Sequence, residues 1–248
     1  MGLSALSARQ RRIVILVAAL LAAAGTARLG AWQLDRAAQK QAMQGRLDER
    51  SHLPALLGPD LANELDTAAA QHHRPARLRG QWLARHTVYL ENRTMNGRVG
   101  FIVVTPLKLD QGAAVMVQRG WVARDFVQRT RLPDLPKPGG TVEIEGWIAA
   151  PPSRLFDFAG AAEGGPIRQN LDFTDYARET GVALRPMSIQ QADDAANRGD
   201  GLLRQWPRPA IDVHKHYGYA AQWFSLAALI TGLYVWFQLI RPRLHARR

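Results

Sequence analysis

Residues 218–240 read Gly-Tyr-Ala-Ala-Gln-Trp-Phe-Ser-Leu-Ala-Ala-Leu-Ile-Thr-Gly-Leu-Tyr-Val-Trp-Phe-Gln-Leu-Ile, a run of 23 residues without a charged side chain. As a helix, this run would extend about 34 Å, which is enough to cross a hydrocarbon core of roughly 30 Å. His214-Lys-His216 stands just before it. The sequence therefore predicts a transmembrane helix over 216–240, with two histidines where the chain enters the bilayer.

A shorter apolar run, 13–27, lies near the start of the sequence. A helix of its 15 residues reaches only about 23 Å. We therefore predict a longer first transmembrane helix, 13–34, in which the side chain of Arg28 extends toward the interface. The alternative is a cleaved signal peptide, with the basic stretch 9–12 as its charged region and 22–24 as its cleavage site.

The net charge of +11 is concentrated beside the two apolar runs. Eight of the 32 basic residues flank them: Arg9, Arg11, Arg12, Arg28, Arg241, Arg243, Arg247 and Arg248. No acidic residue precedes Asp35 or follows Asp212, so the middle of the chain holds 24 basic and 21 acidic residues, a balance of about +3. This distribution argues against a nucleic-acid-binding surface, and we expect no nucleic-acid partner.

Arginines at the outer ends of both runs predict the membrane topology. By the positive-inside rule, both termini face the cytoplasm, or the matrix in an organelle. The predicted plan is a cytoplasmic N-terminus (1–12), a first span (13–34), a soluble periplasmic domain (35–215), a second span (216–240) and a basic cytoplasmic tail (241–248). The expected location is the inner membrane of a bacterial cell, whose lipid bilayer is then a partner.

Several kinds of functional site are excluded by the residues that the sequence lacks. It contains no cysteine, which excludes disulfides, cysteine-ligated zinc, thiolate copper sites and haem attached through Cys-x-x-Cys-His. Its five methionines are scattered, unlike those of a methionine-ligated copper site. The motifs of serine hydrolases, zinc proteases, P-loop proteins and dinucleotide-binding proteins are also absent. These absences argue against enzymes of those particular classes.

The middle of the chain alternates between apolar and polar residues, as short half-buried strands do. The predicted strands are 76–82, 87–92, 101–105, 113–122, 142–148 and 186–191. Asn96-Gly97 predicts a tight turn, and the third strand should end near Pro106. Glu143 and Glu145 share one face of the fifth strand, where a solvated surface explains them better than a catalytic acid pair does.

Helices are predicted around this sheet. The stretch 35–50 should leave the membrane as a helix, and 60–70 should form a short helix capped by Asp60. The stretch 172–181 has an aspartate near its start and a glycine at its end, as helices do. The predicted fold is a membrane protein of the α+β class, in which two transmembrane helices flank a mainly antiparallel β-sheet or small barrel with peripheral helices.

The entrance of the second span is a candidate ligand site. If the helix has begun by His216, Tyr219 at i+3 and Trp223 at i+7 share its face. An imidazole beside two large rings suits a flat, iron-bearing macrocycle, with the imidazole as axial ligand and the rings as walls. The alternative is an interfacial aromatic belt with incidental histidines.

Short motifs, in the same order along the chain, resemble the surfeit locus protein 1 family. They lie at 29–36 with Lys40, 97–101 with 105–107, 119–122, 200–207 and 216–224. The first motif favours a retained membrane anchor over a cleaved signal peptide. Trp32, Arg36, Gly97, Arg119 and Trp121 also match family motifs, in folding or docking roles. Tyr217 replaces an aliphatic residue of the family pattern, and the stretch 56–73 matches it poorly.

The resemblance implies a non-enzymatic role in the assembly of an aa3-type haem-copper cytochrome c oxidase. Bacterial members of the family bind haem a, and the position of their proposed ligand histidine matches His216. His214 has no counterpart and is a reserve candidate for the haem iron. The implied cofactor is a transiently bound haem a beside Tyr219 and Trp223. The implied partners are subunit I of the oxidase and haem a synthase.

Two other functions stay open at this point. The first alternative is a membrane scaffold that stabilises an oxidase assembly intermediate without binding haem. A membrane-anchored enzyme is a more distant third.

Overall fold

The first helix contains both the first apolar run and its polar continuation. In the computed structural model, α1 extends without a break over Ala8–Ser51. The stretch after residue 34 is rich in Ala, Gln, Lys and Arg, and α1 contains no proline that would interrupt its hydrogen bonds. The predicted helical exit from the membrane is therefore confirmed as helix, in one piece with the segment before it.

The structure describes residues 7–125, 127–128, 131–133, 135–136, 139–156, 165–194, 197, 199–206 and 212–245. The chain divides into two compact units. The helical unit comprises Met1–Arg46 and Pro209–Arg248, and the β-domain comprises Leu47–Arg208. Residues 1–6 of the predicted N-terminal segment and 246–248 of the predicted basic tail lie outside the described residues.

The β-domain contains a closed ring of strands. The described strands are β1 (Pro75–Trp82), β2 (Val88–Met95), β3 (Arg98–Leu109), β4 (Ala114–Ala123), β5 (Thr141–Ala149), β6 (Ile167–Arg168) and β7 (Leu184–Gln191). They pair in the order β1-β5-β7-β4-β3-β2-β6, and β1 also pairs with β3. That additional pairing closes β1, β5, β7, β4 and β3 into a five-stranded barrel, one of the two forms, sheet or small barrel, that the sequence left open.

The sheet is mixed. The pairings β1–β3, β1–β5, β2–β3, β3–β4 and β5–β7 are antiparallel, whereas β4–β7 and β2–β6 are parallel. The prediction of a mainly antiparallel sheet therefore holds for most pairings but missed the two parallel ones. It also missed the short strand β6, which pairs with β2 at Tyr89 and Leu90.

Apolar side chains from every strand of the ring form the barrel core. Leu78, Leu107, Val117, Ile144 and Met187 come one from each strand, belong to one cluster and are at most 3% exposed. Side chains alternate between the two faces of a strand, so each strand directs its apolar set to the same interior. The hydrophobic effect of this shared core stabilises the closed ring.

The ring closes at a glycine. Gly80 of β1 lies opposite Leu109 of β3, and a Cβ at this position would overlap the carbonyl oxygen of Lys108. The missing side chain therefore allows the two backbones to approach closely enough to pair.

Two sequence features near β3 had different outcomes. Asn96 and Gly97 have φ values of 51° and 74°, as expected for the hairpin turn predicted between β2 and β3. The prediction that the strand ends near Pro106 was wrong, because β3 continues to Leu109. Proline removes one donor but keeps its carbonyl, and the Pro106 oxygen accepts a hydrogen bond from the N–H of Leu83.

The two helices of the β-domain also differ in how well the sequence predicted them. Helix α2 covers Leu65–Gln71, so the prediction of a helix from Asp60 was wrong at its start. The Asp60 carboxylate accepts from the N–H of Leu57, on the preceding side, within the 3₁₀ turn Gly58–Asp60. Helix α3, Phe173–Thr180, is confirmed: Asp172 caps its start, and Gly181 ends it at a φ of 70°.

The second apolar run is also helical. Helix α4 covers Val213–Val235, a π-helical segment follows at Trp236–Ile240, and α5 covers Arg241–His245. The helical stretches Arg9–Ser51 and Val213–His245 are both long and apolar enough to cross a membrane. Only 6% and 0% of their most apolar windows are buried, unlike the core helix of a soluble protein. The structure thus has two candidate membrane helices flanking a β-rich domain.

Candidate functional site

Helices α1 and α4 of the helical unit pack against each other at small residues. The ring of Phe224 lies over Gly30, where a Cβ would come within 2.9 Å of the Phe224 Cζ atom. Ala37 of α1 and Ala220 of α4 are almost completely buried, at 1% and 2% exposure. Small residues let two helix backbones approach closely, which brings polar side chains on facing sides within hydrogen-bonding distance.

The closest polar contact between α1 and α4 involves the predicted ligand His216. Its Nδ1 atom lies 2.7 Å from the Oε1 atom of Gln33. With the amide oxygen of Gln33 facing the ring, this contact is a hydrogen bond in the tautomer whose Nδ1 carries the proton and donates it. Because a neutral imidazole has a single N–H, Nε2 keeps its lone pair. In that tautomer, His216 can ligate a metal through Nε2.

The aromatic residues predicted beside His216 are on the same side of α4. The helix begins at Val213, so His216 is helical and the spacing to Tyr219 and Trp223 applies. His216 and Trp223 are half-buried, and Tyr219 is 51% exposed. This side of α4 offers two flat rings next to an imidazole.

His214, the reserve candidate, is placed differently. It is exposed and lies two positions before His216, about 200° away around the helix axis. The structure therefore does not bring the two imidazoles to one side of α4. In the described parts of the chain, no three His, Cys, Asp or Glu residues are grouped so that they could hold a metal ion.

The donor set at His216 fits haem better than a bare ion. One imidazole supplies one ligand, whereas a free metal ion needs several from the protein. Haem iron is already bound by the four nitrogens of its macrocycle and takes one or two axial ligands from the protein. His216 would hold the iron and the neighbouring rings would lie against the macrocycle. The residues present therefore fit this group.

The start of α4 carries further polar contacts. The Asp212 carboxylate accepts a hydrogen bond from Lys215 at 2.7 Å, which lowers the pKa of Asp212 below its usual value. This ion pair is exposed, so its contribution to stability is small. The Tyr217 hydroxyl donates to Gln41 Oε1 at 3.3 Å, which makes a second hydrogen bond between α4 and α1.

Two of the motif segments meet in the β-domain. Trp121 of β4 and Leu203 exchange backbone hydrogen bonds of 2.7 and 2.8 Å. Gly120 lies under this contact, where a Cβ would come within 2.6 Å of the Leu202 Cβ. The segment 200–206 is thereby held against β4. The Trp121 indole N–H also donates to the carbonyl oxygen of Arg93 at 2.8 Å.

Two buried arginines, Arg119 and Arg204, lie in the same region. Arg204 forms an ion pair with Asp200, and their side chains are 1% and 10% exposed. The Arg119 guanidinium lies 4.9 Å from the centre of the Trp82 ring and is largely buried. Burial lowers the pKa of Arg119, an effect that the nearby Asp200 charge opposes. These polar groups interact with the domain's own residues, which supports folding roles.

The remaining predicted residues do not extend the site. Trp32 is 51% exposed, Arg36 donates to Gln39 at 3.0 Å, and Gly97 occupies the hairpin turn. Glu143 and Glu145 are exposed, and Glu145 pairs with Arg77 at 2.6 Å. The interpretation of these glutamates as a solvated strand face is therefore confirmed.

A cleft of about 230 Å³ opens on the β-domain between the 3₁₀ turn Gly58–Asp60 and strands β1, β3 and β5. Leu57, Leu109, Arg79, Asp110 and Glu143 are among the residues that line it. None of the residues singled out from the family motifs does so.

Sequence reasoning missed Gln33. It lies within the motif 29–36, but 183 positions from His216, so no local pattern connects the two. Spacing along α1 could have indicated the face on which Gln33 lies. Small and polar residues recur there every three or four positions, at Gly30, Gln33, Ala37 and Gln41. Such a stripe of small and polar residues on a membrane helix indicates a face that packs on another helix.

Fold and site together define a class of protein: two candidate membrane helices, a small β-barrel domain and a histidine bonded across the helix pair. The model of the SURF1 family matches residues 20–228 of the chain. A SURF1-like protein of Rickettsia bellii is 27% identical over 217 residues, which cover 83% of each chain. A SURF1-like protein of Drosophila melanogaster is 24% identical over 242 residues, 91% of this chain and 77% of the relative.

The chain belongs to the SURF1 family, because the family model covers most of its length. SURF1-like proteins of other Rickettsia species match over a similar extent; that of Rickettsia felis is 25% identical over 215 residues, 84% of this chain and 89% of the relative. Members of the family are generally assembly factors for cytochrome oxidase rather than catalysts. The resemblance drawn from the short motifs is therefore confirmed.

Proposed function

We propose that this protein is an assembly factor for an aa3-type haem-copper cytochrome c oxidase and that it binds haem a through His216. The hydrogen bond from His216 Nδ1 to Gln33 carries the proposal, because it leaves the lone pair of Nε2 available for iron. Haem a, when bound, supplies the iron and four of its ligands. The protein supplies an axial ligand and a surface that orients the macrocycle.

The neighbouring aromatic residues suit a flat hydrophobic ligand. Tyr219 and Trp223 follow His216 on the same side of α4 and present ring faces on which a macrocycle can lie. All three residues are near the start of a candidate membrane helix, where a ligand can approach from the bilayer or from water. His214 is the reserve ligand, and its exposed position on another side of α4 makes it a suitable control.

The proposed partners are haem a synthase, which makes the haem, and subunit I of the oxidase, which receives it. A carrier must release its cargo, and a single protein ligand leaves the second axial position of the iron open to exchange. Binding, orientation and release are enough for this role, so no catalytic step by this protein is proposed.

The proposed location is the inner membrane of a bacterial cell. Spans at 13–34 and 216–240 would place both termini in the cytoplasm and the domain 35–215 in the periplasm. A periplasm-active reporter fused after Arg131 should be active, and a cytoplasm-active reporter at the same position should be silent. The reverse pattern would contradict the proposed orientation.

A membrane scaffold is the second candidate function. Tyr219 and Trp236 are 51% and 49% exposed, as aromatic residues of an interfacial belt are. In this role the protein would stabilise an oxidase assembly intermediate without binding haem, and His216 would serve only the contact between α1 and α4.

The visible absorption spectrum of the purified full-length protein separates the two functions. Wild type, His216→Ala and His214→Ala are expressed in cells that make haem a and purified in detergent. We expect stoichiometric haem a in wild type and in His214→Ala, and its loss or a changed axial-ligand spectrum in His216→Ala. Absence of haem from all three proteins would favour the scaffold. An unchanged spectrum in His216→Ala would overturn the assignment of the ligand.

A further inference from the structure

We infer that Gln33 is a positioning residue that holds His216 in its Nδ1–H form and so keeps Nε2 free to ligate. The inference deepens the proposed function and rests on it in one respect, namely that the ligand of Nε2 is haem iron. The Gln33 side chain bonds to the imidazole, so we assign it an action through His216 rather than on the haem.

The geometry supports a strong and specific hydrogen bond. The Nδ1 to Oε1 distance is 2.7 Å, at the short end of the range for N–H···O bonds. Both side chains are half-buried, which reduces competition from water and strengthens the bond. Without Gln33, the imidazole proton is free to move to Nε2. A protonated Nε2 has no lone pair and cannot bind iron.

The same bond should also increase the electron donation from Nε2 to the iron, in addition to selecting the tautomer of His216. A hydrogen bond from the distal N–H of a metal-bound histidine fixes the ring orientation and increases electron donation from the ligating nitrogen. Loss of such a partner typically lowers metal affinity by about 10- to 100-fold. A carboxylate at position 33 is a stronger acceptor than an amide, so it should increase donation to the iron further.

The helix pair contains a matched control for this effect. Tyr217 and Gln41 also form a side-chain hydrogen bond between α4 and α1, at 3.3 Å. Gln41 follows Gln33 by eight positions on α1, and its bond is to the Tyr217 hydroxyl. Gln33→Leu and Gln41→Leu therefore each remove one bond between the helices, and only the first removes the partner of His216. A difference between the two variants in the tautomer of His216 therefore reports on its partner rather than on the loss of one bond between the helices.

The first test needs no haem. The ¹⁵N NMR spectrum of the histidine side chains in the full-length, haem-free protein is recorded in detergent at about pH 8, above the usual histidine pKa. We expect the Nδ1–H form of His216 in wild type and in Gln41→Leu, and a shift toward the Nε2–H form in Gln33→Leu. The inference is overturned if His216 is in the Nε2–H form in wild type, or if Gln33→Leu leaves its tautomer unchanged.

The second test uses the haem-loaded protein. Gln33→Leu should bind haem about 10- to 100-fold more weakly than wild type and raise the midpoint potential of the iron. Gln33→Glu should retain haem and lower that potential, whereas Gln41→Leu should match wild type in both. Wild-type affinity and potential in Gln33→Leu would overturn the inference, even if His216→Ala loses haem. A wild type that binds no haem would instead overturn the proposed function, and the NMR result would still decide the role of Gln33.

Discussion

In the β-domain, Arg204 and Trp121 of the family motifs bond to the domain's own chain, whereas in the helical unit His216 makes a side-chain contact through one ring nitrogen, Nδ1. Arg204 pairs with the nearly buried Asp200, and the Trp121 indole donates to a backbone oxygen. The Nδ1 atom of His216 lies 2.7 Å from the Oε1 atom of Gln33. The comparison distinguishes motif residues that hold the β-domain together from the one that joins the two helices, and it makes separate tests of each possible.

The largest effect is expected for Trp121→Ala in the β-domain. Trp121 is 2% exposed, and its removal leaves a large cavity and takes away the hydrogen bond from the indole to Arg93, which should lower the free energy of unfolding by about 3–5 kcal/mol. Trp147→Ala is the matched control. Trp147 is 36% exposed, so its removal should lower the free energy of unfolding far less. Denaturant unfolding followed by circular dichroism measures both. Equal losses in the two variants would contradict a folding role for this motif residue.

A smaller effect is expected from raising the pH. The Tyr176 hydroxyl donates to the carbonyl oxygen of His86, and burial raises the pKa of Tyr176 to about 12. The neutral phenol is therefore favoured in the folded state, relative to a pKa of about 10 in the unfolded state. The neutral hydroxyl of Tyr176 contributes about 2 kcal/mol to the free energy of unfolding. This contribution is complete below about pH 10 and is lost as the pH rises through about 12.

The free energy of unfolding at pH 9 and at pH 12, in wild type and in Tyr176→Phe, tests this expectation. Tyr176→Phe should be less stable at pH 9 and should lose less on going to pH 12 than wild type does. Tyrosinate absorbance gives the pKa directly. A Tyr176 that titrates near pH 10 would show that the hydroxyl is not protected by the fold.

The smallest effect is expected in the helical unit. Gly30→Ala places a methyl group 2.9 Å from the Phe224 ring, which should weaken the packing of α1 on α4 by about 1 kcal/mol. Gly25→Ala is the control, since a Cβ there meets nothing within 4 Å and alanine favours helix. Thermal denaturation in detergent should show a lower melting temperature for Gly30→Ala only. Addition of Phe224→Leu should restore it; failure to do so would exclude the proposed clash.

Local sequence signals predicted the elements whose determinants are local. The Asn96-Gly97 turn and the two ends of α3 were found because the residues that form them are neighbours in sequence. The course of β3 through Pro106 depends on strands that flank it, and the two residues of β6 are too few to show a period. The start of α2 was missed because Asp60 bonds backward to Leu57.

The candidate site was half predictable for the same reason. His216, Tyr219 and Trp223 lie within eight consecutive residues of one helix, so their shared side follows from helical spacing alone. Gln33 is on another helix, and which of its residues faces His216 depends on how α1 and α4 pack. That packing depends on the fit of Phe224 to Gly30, a contact between distant parts of the chain.

The closure of the β-barrel has a consequence for the order of events during synthesis. Strand β7 lies between β4 and β5, so the ring cannot be completed until residue 191 has emerged. Helix α4 begins at Val213, soon after that point. Pairing of strands far apart in sequence is slow, because the chain between them must first be brought together. For most of its translation the nascent β-domain is therefore an open, incomplete sheet, and the ribosome delivers the second apolar helix at nearly the same time as the strand that completes the barrel.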